Sequence, residues 1–302
     1  MAAGRTDLRS LQALASRLWG PTAWWHPGGM AWQSATEQDG AIREIQVWGD
    51  AEPCAWGWMY QPNVLMLLVD PGAPELAVEV VDWFDDTNVG DAPRVEVADG
   101  QRHVIDTLRS AGYVECNDEP FGVDQRCAAQ RLHARLLTGY ELHDATSVSE
   151  DVRIEAHRAA WLPAALPYAP GHRPQISTDA TSSFDVHKLH RAQSVWPYDA
   201  SRDLVITTTS GEPAACCTVW LDETTGAAEI EPLGVVPDHR GRHLAIALCH
   251  AALDAVVKAG GNEVVIHPRG DTAYPVPLAV YEAAGFTHVN RTRVYGRGSP
   301  SR

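Results

Sequence analysis

The spacing of apolar positions changes along the chain and marks its elements one after another. Leu8, Leu11, Leu14, Ala15 and Leu18 recur at helical spacing and predict a helix over 5–19. The tryptophan- and glycine-rich stretch PTAWWHPGGMAW follows, which reads either as a packed loop or as a binding surface. Ile42–Trp48 and Ala55–Tyr60, separated by a turn at Gly49–Pro53, predict a β-hairpin. Val64–Val69 is a further strand, Ala73–Phe84 an amphipathic helix, Arg94–Val97 a strand, and His103–Ser110 a helix that stops at Gly112-Tyr113.

The second half runs through a similar series. Helices are expected over Asp151–Trp161, opened by a capping box Ser147-x-x-Glu150, and over Val186–Ser194. Leu204–Thr209 and Ala214–Leu221 form a hairpin, and a strand starts at Glu229. An apolar helix begins near Leu244 and meets no breaker before Gly260-Gly261. Glu263–His267 is a strand, Tyr281 sits on a helix, and Phe286–Tyr295 closes the series as a strand. Glu52-Pro53 matches Glu212-Pro213, Val69-x-Pro71 matches Val235-x-Pro237, and Ala111-Gly112-Tyr113 matches Ala284-Gly285-Phe286, at offsets of 160, 166 and 173 residues. Such a nearly constant offset predicts an internal duplication. The expected boundary lies near 128–148, where the helix-like CAAQRLHARLL leads into the polar YELHDATSVSED, giving domains over 1–130 and 145–302.

The chemistry concentrates in Glu229–Ala251, EIEPLGVVPDHRGRHLAIALCHA. Pro232 and Gly234 interrupt its strand and predict a bulge or splay. A basic, glycine-containing turn then enters a helix, where unpaired N–H groups, the helix dipole, Arg240 and Arg242 together favour an anion. Val235-x-Pro237-x-x-Arg240-Gly241-x-x-Leu244-Ala245 resembles motif A of the GCN5-related N-acetyltransferases (GNAT), whose core reads Arg/Gln-x-x-Gly-x-Gly/Ala. Here His243 replaces the first motif glycine. Pro275–Phe286 resembles motif B of the same family, a helix carrying Tyr-Glu that ends at Gly-Phe.

The resemblance implies an α/β (α+β) fold of two tandem GNAT-like domains, each a mixed, mostly antiparallel central sheet flanked by helices. It implies acetyl-coenzyme A as cosubstrate, held by Leu233, Val235, Val236, Arg240, Gly241, Arg242, His243, Leu244 and Ala245, and direct acetyl transfer to a small-molecule amine, with another acyl group, a hydroxyl or thiol acceptor, or a catalytically silent acyl-coenzyme A sensor as the alternatives. The first copy lacks the turn. Gly72-Ala73-Pro74-Glu75 follows Asp70-Pro71, and Leu108 stands where the second copy has Tyr281. A degenerate N-terminal domain without a coenzyme site is therefore expected.

Composition narrows the partners. With 24 Lys and Arg against 39 Asp and Glu, the net charge is −15, which argues against a nucleic-acid partner. No apolar run approaches a membrane span, and MAAGRTDLRSLQ has no signal-peptide core. Six cysteines without CxxC or CxxH pairing read as buried apolar residues in a reducing cytoplasm, and thirteen histidines show no HExxH, so no metal is expected. A monomer or homodimer fits equally.

Candidate catalytic groups follow from what acetyl transfer needs. Glu229 and Glu231, two apart on one strand, share a face, and partial burial would make either a usable base or leave it a paired surface group. The family resemblance makes Tyr281 the acid for the departing thiolate, and strand splay would free the Val235 N–H for the thioester carbonyl. Asp271 either attracts a cationic acceptor or caps a turn. Tyr274 lies in a rigid Pro-rich stretch beside the expected thioester, and Trp196 and Tyr198 either line an acceptor pocket or close the core.

Overall fold

The computed structural model of the chain describes residues 8–36, 44–88, 90–177 and 179–297. Helices α1 (Leu8–Arg17) and α2 (Pro27–Thr36) precede strands β1 (Glu44–Trp48), β2 (Ala55–Gln61) and β3 (Val64–Val69). Helix α3 (Leu76–Thr87), β4 (Arg94–Ala98), α4 (Arg102–Ser110), β5 (Val114–Glu115) and β6 (Val123–Ala128) follow. The second series comprises β7 (Tyr140–Asp144), α5 (Glu150–Ala160), α6 (Val186–Gln193), β8 (Asp203–Thr208), β9 (Pro213–Asp222) and β10 (Ala227–Val235). It ends with α7 (Leu244–Lys258), β11 (Glu263–Ile266), α8 (Val276–Ala283) and β12 (Thr287–Gly296). The expected starts of the first helix at 5–7 and of the first strand at 42–43 lie outside the described residues.

Two compact units result. The first holds the described residues up to Pro27, those between Glu37 and Asp124, and those from Val289 onward; the second holds Gly28–Thr36 and Gln125–His288. Strand order in the first is β1-β2-β3-β4-β12, and in the second β6-β11-β10-β9-β8-β7. In each, an antiparallel three-stranded meander leads through a helix into one parallel pair, β3–β4 across α3 and β10–β11 across α7. That repeated topology is what duplication predicts. The mixed, mostly antiparallel sheet with flanking helices matches the expected fold class.

The copies exchange their ends. Strand β6, from the first sequence copy, runs antiparallel to β11 with Gln125 opposite Ile266 and Ala128 opposite Glu263. Strand β12, from the second, runs antiparallel to β4 with Thr292 opposite Ala98 and Gly296 opposite Arg94. The compact units therefore depart from the contiguous spans 1–130 and 145–302. The helix-like CAAQRLHARLL is also corrected: its start completes β6, and 129–137 has no regular structure. Ala134 and Leu136, with Leu132 before them, alternate and pack on the second core, a two-residue period that an extended chain provides.

The first core is built on Leu65, Leu67, Val80, Phe84, Val95 and Tyr295, and the second on Ile206, Val219, Ile230, Leu248, Leu253 and Val264. Helix α5 is capped by Ser149, whose Oγ accepts from Val152 N at 3.4 Å, whereas Ser147 Oγ turns back to Asp144; the expected capping box is displaced by two residues. Arg153 on α5 is buried, with Nε 2.7 Å from Asp203 Oδ1 and Nη2 donating to Thr218 Oγ1 at 3.0 Å.

Candidate active site

The second unit opens where its parallel pair separates. Strands β10 and β11 pair only over Ala227–Glu229 and Glu263–Val265, while β10 stays on β9 as far as Val235. A bulge between Ile230 and Leu233 sets two residues, Glu231 and Pro232, against Thr218 alone on β9, as Pro232 and Gly234 predict. Val236 N–H donates to Ala214 O at 2.9 Å, so strand alternation turns the Val235 N–H to the opposite edge, away from β9. Gly234 is needed in this strand because a Cβ there would stand 2.2 Å from the Trp161 ring.

A cleft of about 440 Å³ occupies the fork, and Glu231, Leu233, Val235, His267, Tyr274 and Tyr281 are among the residues lining it. Its far end is the turn into α7. Gly241 has φ +74°, His243 has φ +59°, and α7 starts at Leu244. The first i→i−4 bond of the helix is Ala247 N to His243 O (3.0 Å), which leaves the N–H groups of Leu244, Ala245 and Ile246 outside the helical ladder beside the cleft. An added Cβ at Gly241 would meet nothing within 4 Å. Two left-handed residues at a helix N-terminus make an anion-binding concavity from backbone N–H groups, which fits a diphosphate.

His243 holds a left-handed conformation that glycine adopts more readily. The left-handed region costs a residue with a Cβ roughly 1–2 kcal/mol, and only glycine escapes that cost. Part of the gain on substitution is offset by glycine's greater unfolded-state entropy. His243→Gly is therefore expected to stabilise the chain by up to about 1 kcal/mol in urea unfolding.

Charge at the turn is arranged differently from expectation. Arg240 lines the cleft, but its guanidinium is committed to backbone carbonyls: Nε to Val235 O (3.2 Å), Nη2 to Ala160 O (3.3 Å) and Nη1 to Ala165 O. Burial lowers its pKa. Arg242 points to the Tyr140 hydroxyl and to His239 Nδ1 (3.1 Å), and neither it nor Val236 is among the cleft-lining residues. The donors facing the cleft at this turn are thus mainly backbone N–H groups, with Arg240 bracing the loop.

The two glutamates part company at the bulge. Glu229 is 4% exposed; Oε1 lies 2.8 Å from His267 Nδ1, and Oε2 accepts from Gly29 N at 2.6 Å. Gly29 permits that approach, since a Cβ there would lie 2.7 Å from Oε2. Glu229 is absent from the cleft lining and holds His267, which is present. Glu231 lines both the main cleft and a second cavity of about 200 Å³. Burial, reinforced by the nearby Glu229 charge and opposed by His267, raises its pKa to about 8. Tyr281 is buried against the same cleft; desolvation, with Cys249 and Glu231 adding to it, pushes its pKa well above the ordinary phenol value. It stays a proton donor across the neutral range.

Of the expected acceptor residues, Tyr274 lines the cleft. Asp271 does not: it grips Arg269 through two contacts of 2.7 and 2.8 Å and accepts from Ala273 N at 3.2 Å. The Arg269 bond, with burial opposing, lowers its pKa. Arg269, held in this way, lines the cleft over the Tyr274 ring at 5.5 Å. Trp196 and Tyr198 line neither cavity. Tyr198 donates to Asp203 Oδ2 (3.1 Å) and meets Trp220 edge-on in a small core, so it closes packing.

His267 lines the cleft without any motif in the sequence to single it out. It directly follows a central parallel strand, the end at which open α/β sheets place ligands, and that position was the available signal. The cysteines are free thiols, and Cys216, Cys217 and Cys249 are buried. Among the described residues no group of three or more His, Cys, Asp or Glu is arranged to hold a metal, and no helix is long and apolar enough to cross a membrane.

Residues 173–286 match the acetyltransferase (GNAT) family. Over 89 residues the chain is 38% identical to a mycothiol acetyltransferase of Beutenbergia cavernae, a match covering 28% of this chain and 29% of that protein. Among solved structures, a tandem GNAT protein from the clavulanic acid biosynthesis pathway aligns with TM-score 0.60 and 15% identity over 98% of this chain and 96% of its own. A GCN5-related N-acetyltransferase from Sphaerobacter thermophilus aligns with TM-score 0.59 and 18% identity, over 84% and 81%. At these identities the two structures speak for the fold alone.

Proposed function

We propose, from the match of residues 173–286 to the acetyltransferase (GNAT) family, that the chain transfers an acetyl group from acetyl-coenzyme A to a small-molecule amine in a ternary complex. One observation carries this reading. A carboxyl with a pKa of about 8, Glu231, stands in the wall of a cleft whose other end is a left-handed turn at a helix N-terminus. The stretch shared with a mycothiol acetyltransferase supports acetyl as the group transferred.

The roles follow from position. The N–H groups at the start of α7 bind the diphosphate, with Gly241 keeping the approach open. The Val235 N–H, turned away from β9, donates to the thioester carbonyl oxygen and favours the charge that develops there. Glu231 takes the proton of the attacking ammonium, directly or through a water. Glu229 positions His267, which borders the same cleft. Tyr281 returns a proton to the departing thiolate.

Tyr281→Phe is expected to lower kcat by about tenfold with the coenzyme KM unchanged. That is less than the 10²–10⁴ of full general-acid catalysis, because a thiol of pKa about 8.5 already leaves readily. An unchanged kcat would remove Tyr281 from the chemistry. The first unit, whose helix α3 follows Gly-Ala-Pro-Glu in place of an arginine–glycine turn, is read as a structural partner without a coenzyme site. Free thiols fit action in a reducing cytoplasm.

The direct test is release of coenzyme A thiol from acetyl-coenzyme A with a panel of primary amines. Amine-dependent release supports the proposal. Uptake of acetyl-coenzyme A without release for any amine would instead make the chain an acyl-coenzyme A sensor.

A further inference from the structure

The second cavity, of about 200 Å³, lies against Glu231 and Pro232 on the side reached by Trp32, Phe184 and Lys188. It shares Trp161, Glu231 and Pro232 with the main cleft, so the proposed base faces both spaces. Its wall is aromatic. Trp32 and Phe184 stand with ring centroids 5.5 Å apart, Phe184 lies 4.1 Å from the His157 ring, and His157 stacks on Trp161 at 4.4 Å.

Two polar groups in that wall are unusual. Lys188 is only 6% exposed; its ammonium donates to Ser183 Oγ (2.8 Å) and forms no ion pair with a carboxylate among the described residues. Asp185, which caps the same helix, feels the Lys188 charge but makes no ion pair with it, and a buried ammonium is costly unless a closer anion is supplied. His157 is 7% exposed, and its Nδ1 has no hydrogen-bond partner among the described residues. Burial, with the charges of Arg153, Lys188 and Arg158 adding to it, holds its pKa well below the usual imidazole value, so it stays neutral and keeps one nitrogen to accept and one to donate.

We propose that this cavity is the acceptor pocket and that it selects amines bearing an anionic group, a carboxylate or a phosphate, on an apolar body. Lys188 binds the anion, His157 supplies a hydrogen bond, and the rings of Trp32 and Phe184 flank the body, leaving the amine beside Glu231. The inference rests on the acetyltransferase reading for the identity of the acceptor, but the anion site stands on its own geometry. Trp32, on α2, lies far from the family-matched stretch in sequence, so the pocket draws part of its wall from the start of the chain.

The test uses the full chain and two amine-free probes, 3-phenylpropionate and phenyl phosphate, titrated calorimetrically in the presence of coenzyme A. Wild type is expected to bind at least one at millimolar concentration, the tighter of the two identifying the anion. Lys188→Gln is expected to weaken that binding by about tenfold or more, Lys188→Arg to retain it, and all three to bind coenzyme A equally. Should Lys188→Gln fail to fold, as its thermal melt would show, Trp32→Leu carries the test by weakening the same probe. No uptake of either anion by wild type, or unaltered uptake by the variants, overturns the pocket assignment. Paired amines differing only in a carboxylate separate the two readings. Turnover whose carboxylate preference survives in Lys188→Gln sinks the pocket and leaves the transferase. Lys188-dependent anion binding without any turnover sinks the transferase and leaves the pocket.

Discussion

Glu231→Gln is expected to lower kcat with any accepted amine by about 10²–10⁴-fold, while acetyl-coenzyme A binds as in wild type. Glutamine keeps the shape of the side chain and the local packing but has no lone pair basic enough to take the ammonium proton. The pH profile separates this role from a merely structural one. The carboxyl must be ionised to act, so wild-type activity rises with pH through an apparent value of about 8, and the variant's residual activity lacks that rise. The folding side of the linkage has the opposite sign. A carboxyl raised from 4.5 to about 8 favours the folded state most at low pH, and its contribution is lost as pH climbs across that window. Urea unfolding of the variant should therefore fall less between those pH values than that of wild type. An unchanged kcat, or a profile identical to that of wild type, would move the base elsewhere in the cleft.

The largest expected loss of stability comes from Asp203→Ala. Arg153 and Asp203 have side chains 2% and 1% exposed at 2.7 Å, and the same carboxylate accepts from Thr218 Oγ1 and the Tyr198 hydroxyl, both at 3.1 Å. Burial alone would depress the Arg153 pKa, yet the charge of Asp203 holds it above the ordinary value. Removing Asp203 strands a buried guanidinium and two hydroxyl groups. The expected cost is about 3–5 kcal/mol, since an uncompensated charge is far worse than no pair at all. For a chain of this size that corresponds to a fall in Tm on the order of 10 °C. Replacing Arg153 by Met together with Asp203 by Leu should recover most of it, because an apolar pair avoids both desolvation costs. A loss below about 1 kcal/mol for Asp203→Ala would mean that water reaches Arg153.

The strand, turn and helix from Glu229 to Ala251 could be read directly, because proline, glycine and arginine punctuate them and an unbroken apolar run follows. The duplication was visible because turn residues recur in register. Strand β6 was hidden. It reads Val-Asp-Gln-Arg-Cys-Ala, and Asp124, Gln125 and Arg126 are all buried, so no polar–apolar alternation announced it. Its partner β11 is fixed by tertiary pairing that local pattern does not encode. The same limit explains His267, which gains its significance from Glu229, thirty-eight residues away in sequence, and Trp32, which joins a cavity with residues 125 or more positions later. Charge, the turn into a helix and the motif resemblance point Arg240 and Arg242 to the anion. Their hydrogen bonds to Val235, Ala160 and Ala165, and to Tyr140 and His239, depend on the fold.

The measurement that bears most directly on the account is a calorimetric titration of acetyl-coenzyme A into wild type and Gly241→Asp. The aspartate places a Cβ and a negative charge at a left-handed position in the cradle for the diphosphate. One molecule per chain is expected for wild type, with binding weakened by about a hundredfold or more in the variant. Equal binding by the two proteins, or no uptake by wild type, would contradict the assignment of the cofactor to the turn that opens α7.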